Sequence, residues 1–158
     1  MSGAAAHDPG ETGGLELLLG CGVVVASSEA RFGLPEVQRG LFAAGGGTFI
    51  GQRIPLAVAL EIALTGDLFD AGRAYELGLV NRVVPPRDVL DTALAERIAA
   101  NGPLAVAASK ELVRLGASDA GRARQRLDEW REVVFSSDDA REGARAFVEK
   151  RPPAWSGR

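Results

Sequence analysis

Apolar residues near the start of the chain change from a helical to a strand-like spacing. Leu15, Leu18 and Leu19 are spaced for one face of a short helix that ends near Gly20. The continuous apolar run 23–26 is typical of a strand that is buried on both faces. We therefore expect a helix followed closely by a strand of the core.

Short elements follow this strand, and helices fill the second half of the chain. The patterns predict an extended piece at 31–33, a loop at 40–47, a helix from Pro55, a helix at 71–77 with Asp70 as its N-cap, and a strand within 79–84. Further helices are predicted at about 88–100, 104–115, 121–135 and 139–150, before a loose tail at 151–158. A small α/β front followed by a helical back is the expected architecture.

Composition narrows the classes of partner. The 158 residues carry 18 basic and 21 acidic side chains, a balance that argues against a nucleic-acid partner. No segment approaches the roughly 20 apolar residues of a membrane span, so we expect no membrane association. A single cysteine and a single histidine support neither a zinc site nor a Cys/His nucleophile pair. The lone Cys21 fits a reducing compartment, and we expect a cytoplasmic protein.

Two glutamates stand out as candidates for chemistry. Glu16 interrupts an apolar helix, and Glu36 follows the stiff pair Leu34-Pro35. A helix of seven residues advances about 10 Å and a short strand returns about 15 Å, so the chain is able to bring Glu36 back to Glu16. The plain alternatives are a solvent-facing Glu16 and a Glu36 on a surface loop, and spacing alone leaves both open.

Two groups of glycines are the other candidates. Gly13 and Gly14 leave free backbone N–H groups at a helix start, where an oxyanion could bind, although a plain glycine entry to a helix is the commoner case. The triple glycine 45–47 matches neither phosphate-binding pattern, G-x-G-x-x-G or G-x-x-x-x-G-K-[ST]. It predicts a tight turn before a helix.

Taken together, these segments resemble enoyl-CoA hydratases of the crotonase superfamily. The resemblance runs from Gly13 to Arg151 and is carried by Gly-Gly-Leu-Glu-Leu at 13–17, Ala-Arg-Phe-Gly-Leu-Pro-Glu at 30–36, Gly-Gly-Gly-Thr at 45–48, Leu-Thr-Gly-Asp at 64–67, and by the segments 74–81, 101–105 and 141–151. It implies an α/β fold, a truncated crotonase-like (ClpP/crotonase) ββα spiral followed by a C-terminal helical region. The implied organisation is a disordered leader at 1–12, a partial crotonase core at 13–86, helices at 87–151 and a tail at 152–158.

The resemblance also implies a reaction, the syn addition of water to a trans-2-enoyl-CoA thioester in acyl-CoA metabolism. Glu16 matches the residue that activates water, Glu36 the residue that exchanges a proton at the α-carbon, and Gly13 the oxyanion donor. Gly14, Pro35 and Gly40 are implied substrate contacts. No cofactor is implied, because coenzyme A is part of the substrate. The expected partners are copies of the chain in a trimer or hexamer, or full-length relatives on which it docks.

The chain departs from the family pattern in ways that support alternatives. The resemblance starts partway through the family pattern, and the residues before Gly13 do not match its earlier strands and helices. We therefore expect one oxyanion donor to be missing. We also expect the strand at 23–26 to be an exposed apolar edge. Gly22 stands where relatives usually carry Asp, and Leu15 replaces a small residue or Cys. The alternatives are a catalytically dead fragment that acts only in oligomer contacts, and the sister reaction of an enoyl-CoA isomerase. A Rossmann-type nucleotide-binding domain is a third alternative, but the sequence lacks the glycine fingerprint of that fold.

Overall fold

The computed structural model describes residues 3–6, 13–90 and 94–158. The chain divides into two compact units, Met1–Thr92 and Ala93–Arg158. The boundary predicted from the sequence, between residues 86 and 87, lies close to this division. In the part of the chain that is described, no helix combines the length and the apolar character needed to cross a bilayer.

The first unit is built on a small parallel sheet whose middle strand is β2. Strand β1 (Gly3–Ala6) pairs with β2 (Val23–Ser27), which pairs on its other side with β5 (Arg82–Val84). The disordered leader predicted for 1–12 is therefore wrong at 3–6; the rest of that range lies outside the described residues. The predicted apolar edge at β2 is also wrong, because strands on both sides use its backbone hydrogen-bonding groups. A segment of only four Gly and Ala residues has no apolar pattern that predicts a strand.

Short helices and a two-stranded ribbon complete this unit. They are α1 (Gly13–Gly20), β3 (Arg31–Phe32) antiparallel to β4 (Phe69–Asp70), α2 (Leu56–Thr65), α3 (Ala71–Glu76) and three 3₁₀ helices at Pro35–Arg39, Gly47–Gln52 and Pro86–Asp88. The predicted cap is confirmed, since Asp70 accepts a hydrogen bond from the Arg73 N–H at 2.8 Å. Gly78 adopts a positive φ of 74°, as a C-terminal helix residue should.

The core of the first unit joins buried residues of the sheet, of α1 and of the other short elements. Leu15 and Leu18 are buried, as their spacing predicts, and pack with Val24 and Ala26 of β2. Asn81 extends the pairing beyond β5, because its side-chain oxygen accepts from the Val24 N–H and its own N–H donates to the Val24 carbonyl, both at 2.8 Å. The helix that will carry Glu16 is thus fixed by its apolar face.

The second unit is helical, as predicted, and contains α4 (Leu94–Ala99), α5 (Pro103–Ser118), α6 (Ala120–Ser136) and α7 (Asp138–Glu149). Residues 91–93 of the helix predicted at 88–100 lie outside the described residues, and its start is 3₁₀. Glu111 of α5 joins this helix to α6 by accepting from the Arg126 Nη2 at 3.1 Å and the Trp130 Nε1 at 3.0 Å. Its hydrogen bond from Arg126 lowers the pKa of the Glu111 carboxyl.

The tail at 151–158 is anchored, so the prediction that it is loose is wrong. Asp139 accepts from the Ser156 N–H at 2.6 Å, and Glu142 accepts from the Ala154 N–H at 2.9 Å. The Trp155 Nε1 donates to the Ala100 carbonyl at 2.7 Å. The sequence pattern gave no sign of this, because the tail is held by the buried carboxylates of Asp139 and Glu142, which are distant from it along the chain.

Candidate active site

Glu16 lies in the first turns of α1 and is half-buried. Burial of Leu15 and Leu18 orients the helix, and the Oε1 of Glu16 accepts a hydrogen bond from the Gly47 N–H at 3.0 Å. The alternative in which the Glu16 side chain faces solvent is therefore wrong. One carboxylate oxygen is held in place across 31 residues of sequence by a backbone donor.

The triple glycine forms the wall against which this carboxylate lies. A Cβ on Gly45 would overlap the Oε2 of Glu16, and a Cβ on Gly47 would lie 2.5 Å from the Cβ of Ala43 and 2.6 Å from the Cδ2 of Leu34. Gly46 adopts a positive φ of 119°, which favours glycine. The predicted tight turn before a helix is confirmed, since the 3₁₀ helix Gly47–Gln52 follows. The sequence did not signal the second role of these glycines, which is to make room for Glu16.

Glu36 is the second residue of the 3₁₀ helix Pro35–Arg39 and is half-buried. Its backbone carbonyl accepts from the Leu41 N–H at 3.0 Å, which closes the end of that helix. Its Oε2 is buried and has no hydrogen-bond partner. Leaving such an oxygen unsatisfied costs about 1–3 kcal/mol, and functional sites are where folded proteins tolerate that cost.

The segments that carry the two glutamates meet at Gly47. The side chain of Leu34, two residues before Glu36, is buried against Gly47, and the Gly47 N–H donates to Glu16. The segment that carries Glu36 therefore returns to the loop 45–47 that holds Glu16, and a meeting of the two carboxylates stays a prediction. Both glutamates keep an oxygen that has no hydrogen-bond donor among the contacts of the described residues: Oε2 of Glu16 and Oε2 of Glu36.

The remaining candidates have simpler surroundings. Gly13 is the first residue of α1, and Gly14 is exposed with open space where a side chain would stand. Pro35 begins the 3₁₀ helix that carries Glu36, and its ring suits a first turn. Gly40 ends that helix with a φ of 73° and donates its N–H to the Val37 carbonyl at 3.1 Å. Roles for these four residues in substrate binding stay predictions.

Glu16 and Glu36 are side chains of the kind that transfers protons. Across 3–6, 13–90 and 94–158, no three His, Cys, Asp or Glu side chains lie close enough together to hold a metal ion. Glu16 lies in the first turn of α1, and the first N–H groups of a helix have no partner within the helix. The segment that carries Glu36 contacts the glycine loop that holds Glu16. One carboxylate can take a proton from water while the other gives a proton to carbon, which is the requirement for adding water to a double bond.

Comparisons with known proteins agree with this chemistry. A family profile described as enoyl-CoA hydratase/isomerase matches residues 3–158. The match begins at residue 3, ten residues before Gly13, where the resemblance found in the sequence begins.

Three relatives illustrate the similarity. The carnitinyl-CoA dehydratase of Proteus mirabilis is 39% identical over 154 residues, which cover 92% of this chain and 59% of that protein. An enoyl-CoA hydratase of Mycobacterium tuberculosis is 39% identical over 159 residues, which cover 98% of this chain and 60% of that protein. The crystal structure of an enoyl-CoA hydratase from Mycobacterium marinum matches with a TM-score of 0.86 at 46% identity, covering 99% of this chain and 64% of that chain. The chain thus spans about three fifths of the length of these relatives.

Proposed function

The chain belongs to the enoyl-CoA hydratase/isomerase family, whose crotonase-like fold it shares, and on this premise we propose that it adds water to a trans-2-enoyl-CoA thioester. The observation that carries the proposal is that the segments bearing the two glutamates contact the same glycine, Gly47. Its N–H holds the Glu16 carboxylate, Leu34 packs against it two residues before Glu36, and Glu36 keeps a buried oxygen that lacks a partner. A hydratase needs two carboxylates whose free oxygens are available to water and to substrate.

In the proposed reaction, the carboxylate of Glu16 takes a proton from water as the water oxygen bonds to the β-carbon. The electron pair of the double bond moves through the α-carbon to the thioester oxygen, which becomes an enolate. Glu36 then gives its proton to the α-carbon, and the thioester carbonyl re-forms. Each carboxyl ends in the protonation state opposite to its starting state, and proton exchange with solvent resets the pair.

Gly13 is the proposed donor to the enolate oxygen. The first N–H groups of a helix have no partner within the helix, and the positive end of the helix dipole favours negative charge. Such a donor contributes about 3 kcal/mol to the transition state. Gly14, Pro35 and Gly40 are the proposed substrate contacts around it. Coenzyme A enters as part of the substrate, and no separate cofactor is proposed.

Assembly and location are further parts of the proposal. Large apolar side chains are exposed on the helices of the second unit: Val113, Phe135, Phe147 and Val148. These support a homo-oligomer, a trimer or a hexamer, which the mass of the purified chain in solution would test. A lone cysteine supports the cytoplasm as the compartment, and cell fractionation would test that location.

The test of the proposed reaction is the loss of enoyl thioester absorbance when the purified chain is mixed with crotonyl-CoA. We expect Glu16→Gln and Glu36→Gln each to slow hydration by about 10²–10⁴-fold, the usual contribution of a general acid or base. Glu29→Gln is the matched control, because Glu29 is exposed and lies outside the site. No turnover by the wild-type chain would refute the proposed activity and favour a fragment that acts only in oligomer contacts. A wild-type rate in Glu36→Gln would refute the proposed role of Glu36.

A further inference from the structure

We propose that Arg53 is a positioning residue for Glu16, which it reaches through the opposite end of α1. The Nη1 of Arg53 donates to the carbonyls of Leu19 and Cys21, at 3.0 and 3.3 Å. The last carbonyls of a helix have no partner within the helix, and a cation there also interacts favourably with the helix dipole. Arg53 therefore caps the helix that carries Glu16.

The same stretch of chain holds both ends of α1. Its first residue, Gly47, donates its N–H to the Glu16 side chain, and its last residue, Arg53, binds the C-terminal carbonyls. We call residues 47–53 the α1 clamp. Ile50, in the middle of the clamp, is buried in the core, and its carbonyl accepts from the Arg53 N–H at 2.9 Å. A segment anchored in the core thus adds to the buried leucines of α1 in holding this helix against the glycine loop.

This positioning matters because α1 is short. A helix of eight residues has little stability of its own, so its place depends on what holds it. A displacement of about 1 Å in a catalytic group can cost 10²-fold in rate. The Arg53 side chain is exposed, so its removal leaves no cavity in the core and acts through the lost hydrogen bonds.

The test compares Arg53→Ala and Arg53→Lys with Arg73→Ala. Arg73 is a matched control, because it is an exposed arginine of the same unit whose ion pair is with Glu76 of α3. The first readout is amide hydrogen exchange at Gly47, with Val24 as an internal reference for global opening. We expect exchange at Gly47 to rise about tenfold in Arg53→Ala, the equivalent of one net hydrogen bond, with Val24 unchanged. Arg53→Lys should recover part of this protection, and Arg73→Ala should match the wild type.

The second readout is the kinetics of crotonyl-CoA hydration, and this part rests on the proposed function. We expect kcat to fall about tenfold or more in Arg53→Ala while KM stays unchanged, because Arg53 acts through Glu16. Unchanged exchange at Gly47, or an equal rise at Gly47 and Val24, would overturn the proposal. An inactive wild-type chain would refute the proposed function alone, since the exchange data judge the clamp independently.

Discussion

Glu36 in the first unit and Glu142 in the second differ in whether their carboxylate oxygens have hydrogen-bond partners. Glu142 is only 7% exposed, and both of its oxygens accept hydrogen bonds, from Arg151, Arg145 and the Ala154 N–H. Glu36 has a buried oxygen that no donor reaches. A carboxylate whose partners are all supplied by the fold stabilises the fold, whereas one that lacks a partner is available to a substrate.

Asp139 follows the pattern of Glu142. Hydrogen bonds from the Ser156 and Gly157 N–H groups hold it under the tail, and the bond from Ser156 is the main reason that the pKa of its carboxyl is lowered. Glu16 follows the pattern of Glu36 in part, because one oxygen accepts from Gly47 and the other lies against Gly45. The second unit thus uses carboxylates for structure, and in the first unit we propose that they serve a reaction.

Among substitutions that leave both Glu16 and Glu36 in place, the largest effect is expected from Gly45→Ala, which would displace the Glu16 carboxylate. The new Cβ would overlap Oε2, and a shift of this size should slow crotonyl-CoA hydration by about 10²-fold. Gly116→Ala is the control, because Gly116 lies in the second unit and a Cβ there meets no atom within 4 Å. If Gly45→Ala hydrates at the rate of the control, the glycine loop does not position Glu16.

Next in size is the difference in thermal stability between Glu142→Gln and Glu36→Gln. Glu142→Gln replaces a charge that holds two arginines and should lower Tm by about 5–10 °C, whereas Glu36→Gln, which loses no partner, should change it by about 2 °C or less. Scanning calorimetry of both variants would measure this. A larger fall in Glu36→Gln would mean that Glu36 is the structural carboxylate of the pair.

The pH dependence of stability should also show that Glu142 is a structural carboxylate. Hydrogen bonds from Arg151 and Arg145 hold the pKa of the Glu142 carboxyl far below its ordinary 4.5. A carboxyl with a depressed pKa contributes stability that is complete above the ordinary value and is lost as pH falls below it. The free energy of unfolding of the second unit, measured with denaturant, should therefore decrease as pH drops below about 4.5. This decrease should be smaller in Glu142→Gln. An identical pH dependence in the variant would contradict the assignment.

The smallest effect is expected at the junction of α7 and the tail. Lys150 ends the helix with a φ of 53°, a left-handed conformation that is costly for a residue with a side chain. Lys150→Gly should relieve this strain and raise the free energy of unfolding by about 0.5–1 kcal/mol, which urea titration can resolve. A loss of stability would show that the Lys150 side chain contributes more than its backbone costs.

Local patterns predicted most elements, and contacts between distant residues escaped them. The leucines of α1, the valines of β2 and the Asp70 cap carry their signals within a few residues, and all were predicted. Strand β1 has four small residues and exists only through its pairing with β2. The tail has no periodicity, and it is held by carboxylates more than ten residues away.

The candidate site shows the same limit. Glu16 and Glu36 could be singled out, because a carboxylate in an apolar helix and one after a rigid proline are both unusual. The hydrogen bond between Glu16 and Gly47 spans 31 residues, and nothing in the glycine run itself identifies its acceptor. The Arg53 cap on α1 is likewise a tertiary contact and left no trace in the local pattern.

The contrast between an unpartnered and a fully partnered carboxylate is tested most directly by deuterium exchange at the α-carbon of 3-hydroxybutyryl-CoA, incubated with the chain in D₂O. Glu36 is the proposed donor to that carbon, so Glu36→Gln should slow incorporation by about 10²–10⁴-fold. Glu142→Gln, measured below its Tm, should keep the wild-type rate. Wild-type exchange in Glu36→Gln, or an equal loss in Glu142→Gln, would contradict the account.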